Sequence, residues 1–332
     1  MDAATLAFVV FTAFNAATLL AGWWVGRRGL LSAAFSRRLH VCTVVGPWGA
    51  MNFLCVWSVP LTWTLLWLAV FPTVLIGVGV VAAFAIGKLM RLPRMSLGVV
   101  MIAAGVSNTG FTLGAYLCYC LLDDGAGQGA AALAMGVTMV TVMQVSAIPM
   151  LYPLASAFAS PEDRASVWKL VAQSFWDLRA MPLYAGTAGL ALNVAGASGL
   201  SWAGAPAGVL DAWWVQVLIY AGAFGAHFGI GMNIRPSEML RAWREHATLA
   251  MCKFAVFPVA TLGMLWAKGW TPISADGLLG RMLWIESFMS AGRMSVMGSN
   301  MFHLDARLAA NVWVVNTGLF VAGPLVFLIL FV

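Results

Sequence analysis

Apolar stretches long enough to cross a lipid bilayer follow one another along almost the whole of this 332-residue sequence. A helix needs about 20 apolar residues to span roughly 30 Å of hydrocarbon. Only 9% of the residues are charged, against about 25% in soluble domains. The sequence therefore predicts an all-α polytopic membrane protein with ten transmembrane helices, at about 4–25, 41–60, 63–87, 95–121, 128–155, 181–198, 208–231, 247–267, 277–301 and 309–331.

Lysine and arginine residues cluster in alternate connecting segments, and this distribution sets the predicted orientation. Fourteen of the eighteen follow odd-numbered spans. Because cytoplasmic loops carry the excess of basic residues, both termini are predicted to face outward. The same distribution excludes a nucleic-acid surface despite the formal net charge of +6. We expect a multi-pass protein of a bacterial inner membrane, in contact with the lipid bilayer.

The segment 158–180 divides the predicted spans into two blocks of five. Within it, 166–180 has apolar residues at helical spacing among charges, which predicts an interfacial helix on the cytoplasmic face. The alternative is that this segment begins the sixth span. Because five is odd, the block 181–332 must be inserted upside down relative to the block 1–157. Inverted repeats of this kind are typical of secondary transporters.

Two of the predicted spans contain glycine and polar residues at bilayer depth. The fourth carries Ser107, Asn108 and Thr109 next to Gly110, and the ninth is similar over 284–295. A glycine inside a helix costs about 1 kcal/mol relative to alanine. Freed backbone groups are tolerated in a membrane only where protein or a water-filled cavity satisfies them. We therefore predict that helices four and nine are broken and line a shared cavity.

Three short motifs resemble the auxin efflux carrier family of permeases. They are NTGFTLG at 108–114, the segment 289–296 followed by 304–310, and GRRGLL at 26–31 followed by Pro47 in the second span. The resemblance implies ten spans in two inverted repeats, with the broken fourth and ninth helices crossing and one helix bundle moving against a scaffold. It also implies a small organic anion as substrate, such as auxin or a dicarboxylate like malate.

The ninth span departs from that family in two ways. Ser290 stands where the family commonly has a proline, and Glu286 and Arg293 add charges that most relatives lack. Glu286 and the residues after it resemble the sodium-binding glutamate at the ninth-helix crossover of the bile acid:sodium symporters. A sodium-coupled symporter of that type is therefore an alternative function.

Arg293 is the most informative single residue of the sequence. A central arginine costs about 2.5–3.5 kcal/mol on insertion unless it faces protein or water. Its planar guanidinium suits a carboxylate substrate. A salt bridge to Glu286, roughly two helical turns earlier, is the other interpretation. Glu286 itself is predicted as a sodium ligand, a proton carrier or the partner of Arg293.

The polar groups at the two breaks make up the predicted site. The predicted substrate-binding residues are Ser107, Asn108, Thr109, Gly110, Ser290 and Arg293. The predicted ion-coupling residues are Glu286, Gln144, Thr141 and His227, with sodium or a proton as the ion. For His227, packing among small residues of the seventh span is the alternative to a proton relay. For Ser107, Asn108 and Thr109, the alternative is satisfaction of the broken backbone or hydrogen bonding across helices.

The sequence lacks GxSxG, HExxH and P-loop motifs, so neither a hydrolase nor an ATP-driven pump has a visible basis. We predict no enzyme activity, no cofactor and no metal site. The expected function is a secondary transporter that moves a small organic anion by alternating access. A non-transporting membrane sensor or scaffold is the alternative from another class. Whether the protein forms a homodimer is left open.

Overall fold

The computed structural model describes residues 3–59, 62–123, 127–158, 169, 172, 175–176, 178–200, 203–206, 208–270, 277–301 and 304–331. It is about 84% helical. The described residues form no β-strand beyond an isolated bridge between Ser107 and Ala291. The α-helices are α1 (Ala3–Arg28), α2 (Ala33–Thr43), α3 (Gly49–Ser58), α4 (Trp67–Leu89), α5 (Arg94–Gly105), α6 (Gly114–Leu121), α7 (Gln128–Phe158), α8 (Met181–Ala197), α9 (Trp213–Gly231), α10 (Pro236–Met239), α11 (Trp243–Met251), α12 (Phe257–Ala267), α13 (Leu278–Ser287), α14 (Met294–Met301), α15 (Ala306–Ala322) and α16 (Pro324–Phe331).

Seven helical segments within the described ranges are long and apolar enough to cross a membrane. They are Leu6–Arg28, Ala34–Ser58, Trp67–Leu89, Gln128–Ala147, Trp213–Gly231, Leu240–Ala267 and Arg307–Phe331. The predicted all-α integral membrane protein is therefore confirmed. The other three predicted spans hold shorter helices: α8 has 17 residues, and the fourth and ninth spans are each divided in two.

Some helices begin earlier than the apolar pattern predicts, because polar residues cap them. The second span was predicted from about position 41, whereas α2 begins at Ala33. There the Ser32 hydroxyl accepts a hydrogen bond from the Phe35 N–H at 3.3 Å. Two π-helical turns, Val44–Trp48 and Cys252–Val256, join α2 to α3 and α11 to α12. Capping and π-helical turns are set by local hydrogen bonds, which the hydropathy of the chain does not record.

The chain folds into two compact units, each drawing on both predicted halves of the sequence. The first unit comprises Met1–Ala69, Thr109–Gln144 and Ser174–Ile234, and the second comprises Val70–Asn108, Val145–Gln173 and Arg235–Val332. These units are defined by packing. The blocks 1–157 and 181–332 are instead defined by the inverted repeat, and that repeat stays a prediction. Most of the predicted linker and interfacial helix, 158–180, lies outside the described residues.

In the first unit, small residues let neighbouring helices approach almost to backbone contact. A Cβ atom at Gly22 would lie 2.2 Å from the carbonyl oxygen of Phe228, and one at Gly189 would lie 2.4 Å from that of Phe53. Helix α1 thus packs on α9, and α3 packs on α8. Close approach at small residues is a common way to pack membrane helices.

In the second unit, an apolar cluster fixes α5 against neighbouring segments. Its buried residues are Val99, Ile102, Ala155, Leu304 and Ala309. They come from α5, α7 and α15, and Leu304 lies two residues before α15. Because α5 is held by this cluster, the position of its C-terminal end is also fixed, and that end forms part of the candidate site.

Candidate functional site

The fourth predicted span is interrupted where its polar residues lie. Helix α5 ends at Gly105, Val106 is extended (φ −113°, ψ 124°), and α6 begins at Gly114. We refer to 106–113 as the first interruption. The last turn of a helix leaves carbonyl groups without partners inside the helix, so those of α5 need partners from elsewhere in the protein or from water.

The ninth predicted span is interrupted in the same manner. Helix α13 ends at Ser287 and α14 begins at Met294. We refer to 288–293 as the second interruption, which includes Ser290 and Arg293. Both residues are buried, with 0% and 5% of their surface exposed. The predicted polar residues therefore lie inside the protein.

Main-chain hydrogen bonds join the two interruptions within the second unit. The Asn108 N–H donates to the Ser290 carbonyl oxygen at 2.8 Å, and the Gly292 N–H donates to the Val106 carbonyl oxygen at 2.7 Å. An isolated antiparallel bridge lies between these two bonds. The interruptions therefore satisfy part of each other's backbone requirement, which two unbroken helices could not do.

Gly292 is required for this close approach. A Cβ atom there would lie 2.6 Å from Val106 Cγ1 and 2.7 Å from the Ser107 carbonyl oxygen. Both distances are shorter than non-bonded contacts in proteins allow. Any larger residue at this position would push the two interruptions apart.

A buried lysine lies at the end of α5. Lys253 comes from the π-helical turn that precedes α12, and none of its surface is exposed. Its ammonium group donates to the carbonyl oxygens of Ala104 at 2.7 Å and Val106 at 3.1 Å, and to Ser107 Oγ at 2.7 Å. The Phe257 ring lies beside it, 4.2 Å from Nζ to the ring centroid. We refer to the three oxygens as the Lys253 site.

The sequence analysis assigned no role to Lys253, although a usable signal was present. The residue lies inside the predicted span 247–267. The insertion cost that singled out Arg293 applies equally to a lysine at that depth. What the sequence does not provide is the identity of its partners, since they lie 146–149 positions earlier in the chain.

Helix α15 supplies side chains that hold the second interruption. Asn316 Oδ1 accepts a hydrogen bond from the Ala291 N–H at 2.8 Å, and the Thr317 hydroxyl lies 3.3 Å from Ser290 Oγ. Asn316 is 1% exposed. Its Nδ2 has no hydrogen-bond partner among the described residues. One buried donor group is therefore available next to this interruption.

Glu286 is a buried acid in the last turn of α13, with 1% of its surface exposed. Neither of its carboxylate oxygens accepts a hydrogen bond from any described residue, Arg293 included. The salt bridge to Arg293 that was one interpretation of the sequence is therefore without a hydrogen bond in this conformation. An ionised carboxylate buried without a partner costs several kcal/mol.

Arg293 directly precedes the first residue of α14, Met294. The N-terminal end of a helix carries a positive partial charge and N–H groups that favour anions. A buried guanidinium at this end therefore adds positive charge to a place that is already positive. The arrangement suits an anion, for which both the guanidinium and the helix end are favourable.

The compact units divide the predicted site residues between them. Ser107, Asn108, Glu286, Ser290 and Arg293 belong to the second unit, and Thr109, Gly110, Thr141, Gln144 and His227 belong to the first.

Two of the predicted ion-coupling residues of the first unit have local partners. The Thr141 hydroxyl bonds Asn52 Oδ1 and lies 3.0 Å from the Val137 carbonyl oxygen. His227 Nδ1 lies 2.8 Å from the Ala223 carbonyl oxygen one helical turn earlier. The Thr141 contact to Asn52 joins α7 to α3, whereas the His227 contact lies within α9.

Comparison with known proteins assigns no family. No protein-family model matches the chain, and no curated protein matches it. The resemblance to the auxin efflux carriers therefore depends only on the short motifs, chiefly 108–114 and 289–296. Function has to be argued from the chemistry of the paired interruptions.

Proposed function

We propose that the protein is a secondary transporter, a permease that moves a small organic anion across the membrane by alternating access. The observation that carries the proposal is the pairing of the two interruptions, with the Asn108 N–H 2.8 Å from the Ser290 carbonyl oxygen. Irregular backbone is tolerated in a membrane protein where it is buried in protein or lines a cavity. In secondary transporters, interrupted helices hold the substrate and coupling-ion sites.

The second interruption supports an anionic substrate. Arg293 places a buried guanidinium at the N-terminal end of α14, and the planar fork of an arginine binds a carboxylate through two parallel hydrogen bonds. Asn316 Nδ2 adds a buried donor whose partner is not found among the described residues. We propose that a carboxylate binds here, with Asn108 and Ser290 at the joined backbone.

Glu286 supports coupling of transport to an ion. Its carboxylate is buried and accepts no hydrogen bond within the described part of the chain, so binding a proton or a cation would remove an unfavourable charge. A proton is one candidate. Sodium is the other, and it corresponds to a sodium-coupled symporter of the bile acid type as the second candidate function.

The proposed architecture has ten crossings in two inverted repeats. Helices α5 and α6 would together form the fourth crossing, α13 and α14 the ninth, and α8 the sixth. The two compact units, each built from both halves of the chain, support a division into a scaffold and a moving bundle. The distribution of lysine and arginine supports termini that face outward, in a bacterial inner membrane.

Uptake into proteoliposomes tests this function. The purified protein would be reconstituted and supplied with labelled malate or the auxin indole-3-acetate, with an excess of unlabelled solute inside. We expect counterflow of at least one of them. For that solute, Arg293→Gln should reduce the initial rate about a hundredfold, as expected when one partner of a buried charge pair is removed. Arg293→Lys should restore little, since a lysine cannot form the bidentate pair.

Arg241→Gln is the matched control, because Arg241 is exposed on the surface of the second unit. It should transport at the wild-type rate. If neither solute nor any other small carboxylate exchanges across the membrane, the permease proposal fails and a sensor or scaffold becomes the better interpretation. If Arg293→Lys transports normally, the carboxylate pairing is wrong.

A further inference from the structure

Lys253 has no hydrogen-bond donor left for a substrate in this conformation. An ammonium group has three N–H donors and no acceptor, and Lys253 directs them to the two carbonyl oxygens and the hydroxyl of the Lys253 site at 2.7–3.1 Å. A substrate carboxylate would have to displace those contacts. Lys253 is therefore not an anion ligand here, although it is a buried cation beside the proposed substrate site.

The groups around Lys253 are those that bind a free cation. Backbone carbonyls at the C-terminal end of a half-helix coordinate cations in secondary transporters, and the helix dipole makes that end negative. The Phe257 ring contributes a further attraction, since the face of an aromatic ring favours cations. The ammonium group of Lys253 occupies the position that such a cation would take.

The site is also closed from the side of α4. A Cβ atom at Gly79 would lie 2.7 Å from the Ala104 carbonyl oxygen and 2.8 Å from the Phe257 ring. Glycine at this position therefore lets α4 approach the site directly. Lys253 is thus enclosed, with none of its surface exposed.

We infer that Lys253 is a tethered cation, which replaces a free coupling cation at the end of α5. The covalently held charge neutralises this helix end permanently, so the first interruption needs no sodium. The inference deepens the proposed transport function and rests on it. Its consequence is that sodium is not bound at the first interruption during transport. Any coupled ion would then act at Glu286 alone.

The test replaces the tethered cation by a free one. Lys253→Ala removes the ammonium group and leaves a space, whereas Lys253→Met removes the charge but fills the space. Melting temperatures of the purified full-length variants in detergent would be measured at equal concentrations of choline, sodium and methylammonium chloride. Lys88→Ala is the control, because Lys88 is exposed at the end of α4.

In choline chloride, both Lys253 variants should melt lower than the wild type by roughly 5 °C or more. Methylammonium or sodium should restore most of this loss in Lys253→Ala, because a free cation stabilises the folded state that binds it. Neither ion should restore Lys253→Met, since the space is filled. In each of the three salts, Lys88→Ala should melt at the same temperature as the wild type.

The inference is overturned if Lys253→Ala responds to the cations no more than the wild type does. It is also overturned if the wild type is stabilised by sodium over choline and Glu286→Gln keeps that stabilisation. The comparison of the wild type with Glu286→Gln in sodium and choline tests the inference even if Lys253→Ala cannot be purified. The melting experiment requires no transport, so a failure of uptake would refute the proposed function and leave this result standing.

Discussion

At the first interruption a buried cation lies against a negative helix end, whereas at the second both buried charges lie at helix ends of their own sign. Lys253 meets the carbonyl groups that end α5. Glu286 instead occupies the last turn of α13, where the dipole is negative, and Arg293 precedes α14, where it is positive. The first interruption therefore pairs a buried charge with a helix end of opposite sign, whereas the second places each buried charge at a helix end of its own sign.

Within the same unit, this difference separates polar groups that stabilise the structure from polar groups that we expect to act in transport. Buried polar groups that are fully hydrogen-bonded make a structure more rigid. Groups that break the local rules of charge placement are expected at functional sites. We therefore expect variants at the first interruption to change stability, and variants of the charges at the second to change transport.

The largest loss of stability is expected from Lys253→Met. The change removes three hydrogen bonds at a fully buried position, which should lower the free energy of unfolding by about 3 kcal/mol. Unfolding of the purified protein by SDS in mixed micelles measures this. Lys88→Met, at an exposed position, should change it by less than about 0.5 kcal/mol. Equal effects of the two variants would contradict the charge pairing assigned to the first interruption.

Gly292→Ala tests the contact that joins the two interruptions. The added methyl group meets Val106 and the Ser107 carbonyl, and overpacking of this kind costs about 2 kcal/mol. The same unfolding assay measures it. Gly263→Ala is the matched control, because Gly263 is exposed in α12 and a Cβ atom there has no neighbour within 4 Å. The control should be neutral or slightly stabilising, since alanine is the better helix former.

Asn316→Ala should have a smaller effect. It removes the acceptor of the Ala291 N–H and leaves that buried donor unsatisfied, at a cost of about 1.5 kcal/mol. Faster hydrogen exchange at the Ala291 amide would locate the change. Thr317→Val removes only the longer contact to Ser290 Oγ and should cost less. A greater loss for Thr317→Val than for Asn316→Ala would show that the side-chain amide does not hold this interruption.

The smallest change in stability is expected from Glu286→Gln. Neutralising a buried carboxylate that accepts no hydrogen bond from the described residues should leave the free energy of unfolding unchanged or raise it by about 1 kcal/mol. Transport should nevertheless lose its dependence on an imposed proton or sodium gradient, measured as uptake with and without each gradient. If Glu286→Gln were as unstable as Lys253→Met, the contrast between the two interruptions would be lost.

Much of the second interruption could be predicted from the sequence. Ser290, Glu286 and Arg293 are recognisable because polar and charged residues inside an apolar span are costly. The first interruption was located equally well from Gly110 and the polar residues directly before it. The contacts of Thr141 and His227, which the sequence analysis assigned to ion coupling, were not predictable, because pattern and composition do not reveal which oxygen a side chain meets.

By itself the sequence determined that this is an all-α membrane protein and where two of its helices stop. Those are local properties, set by hydropathy and by the cost of glycine and polar groups at bilayer depth. Only the tertiary structure decided that the two interruptions are joined through Asn108 and Ser290, and that Lys253 meets an oxygen 149 positions away. Such contacts depend on how separate segments pack together, and a short stretch of sequence carries no information about that packing.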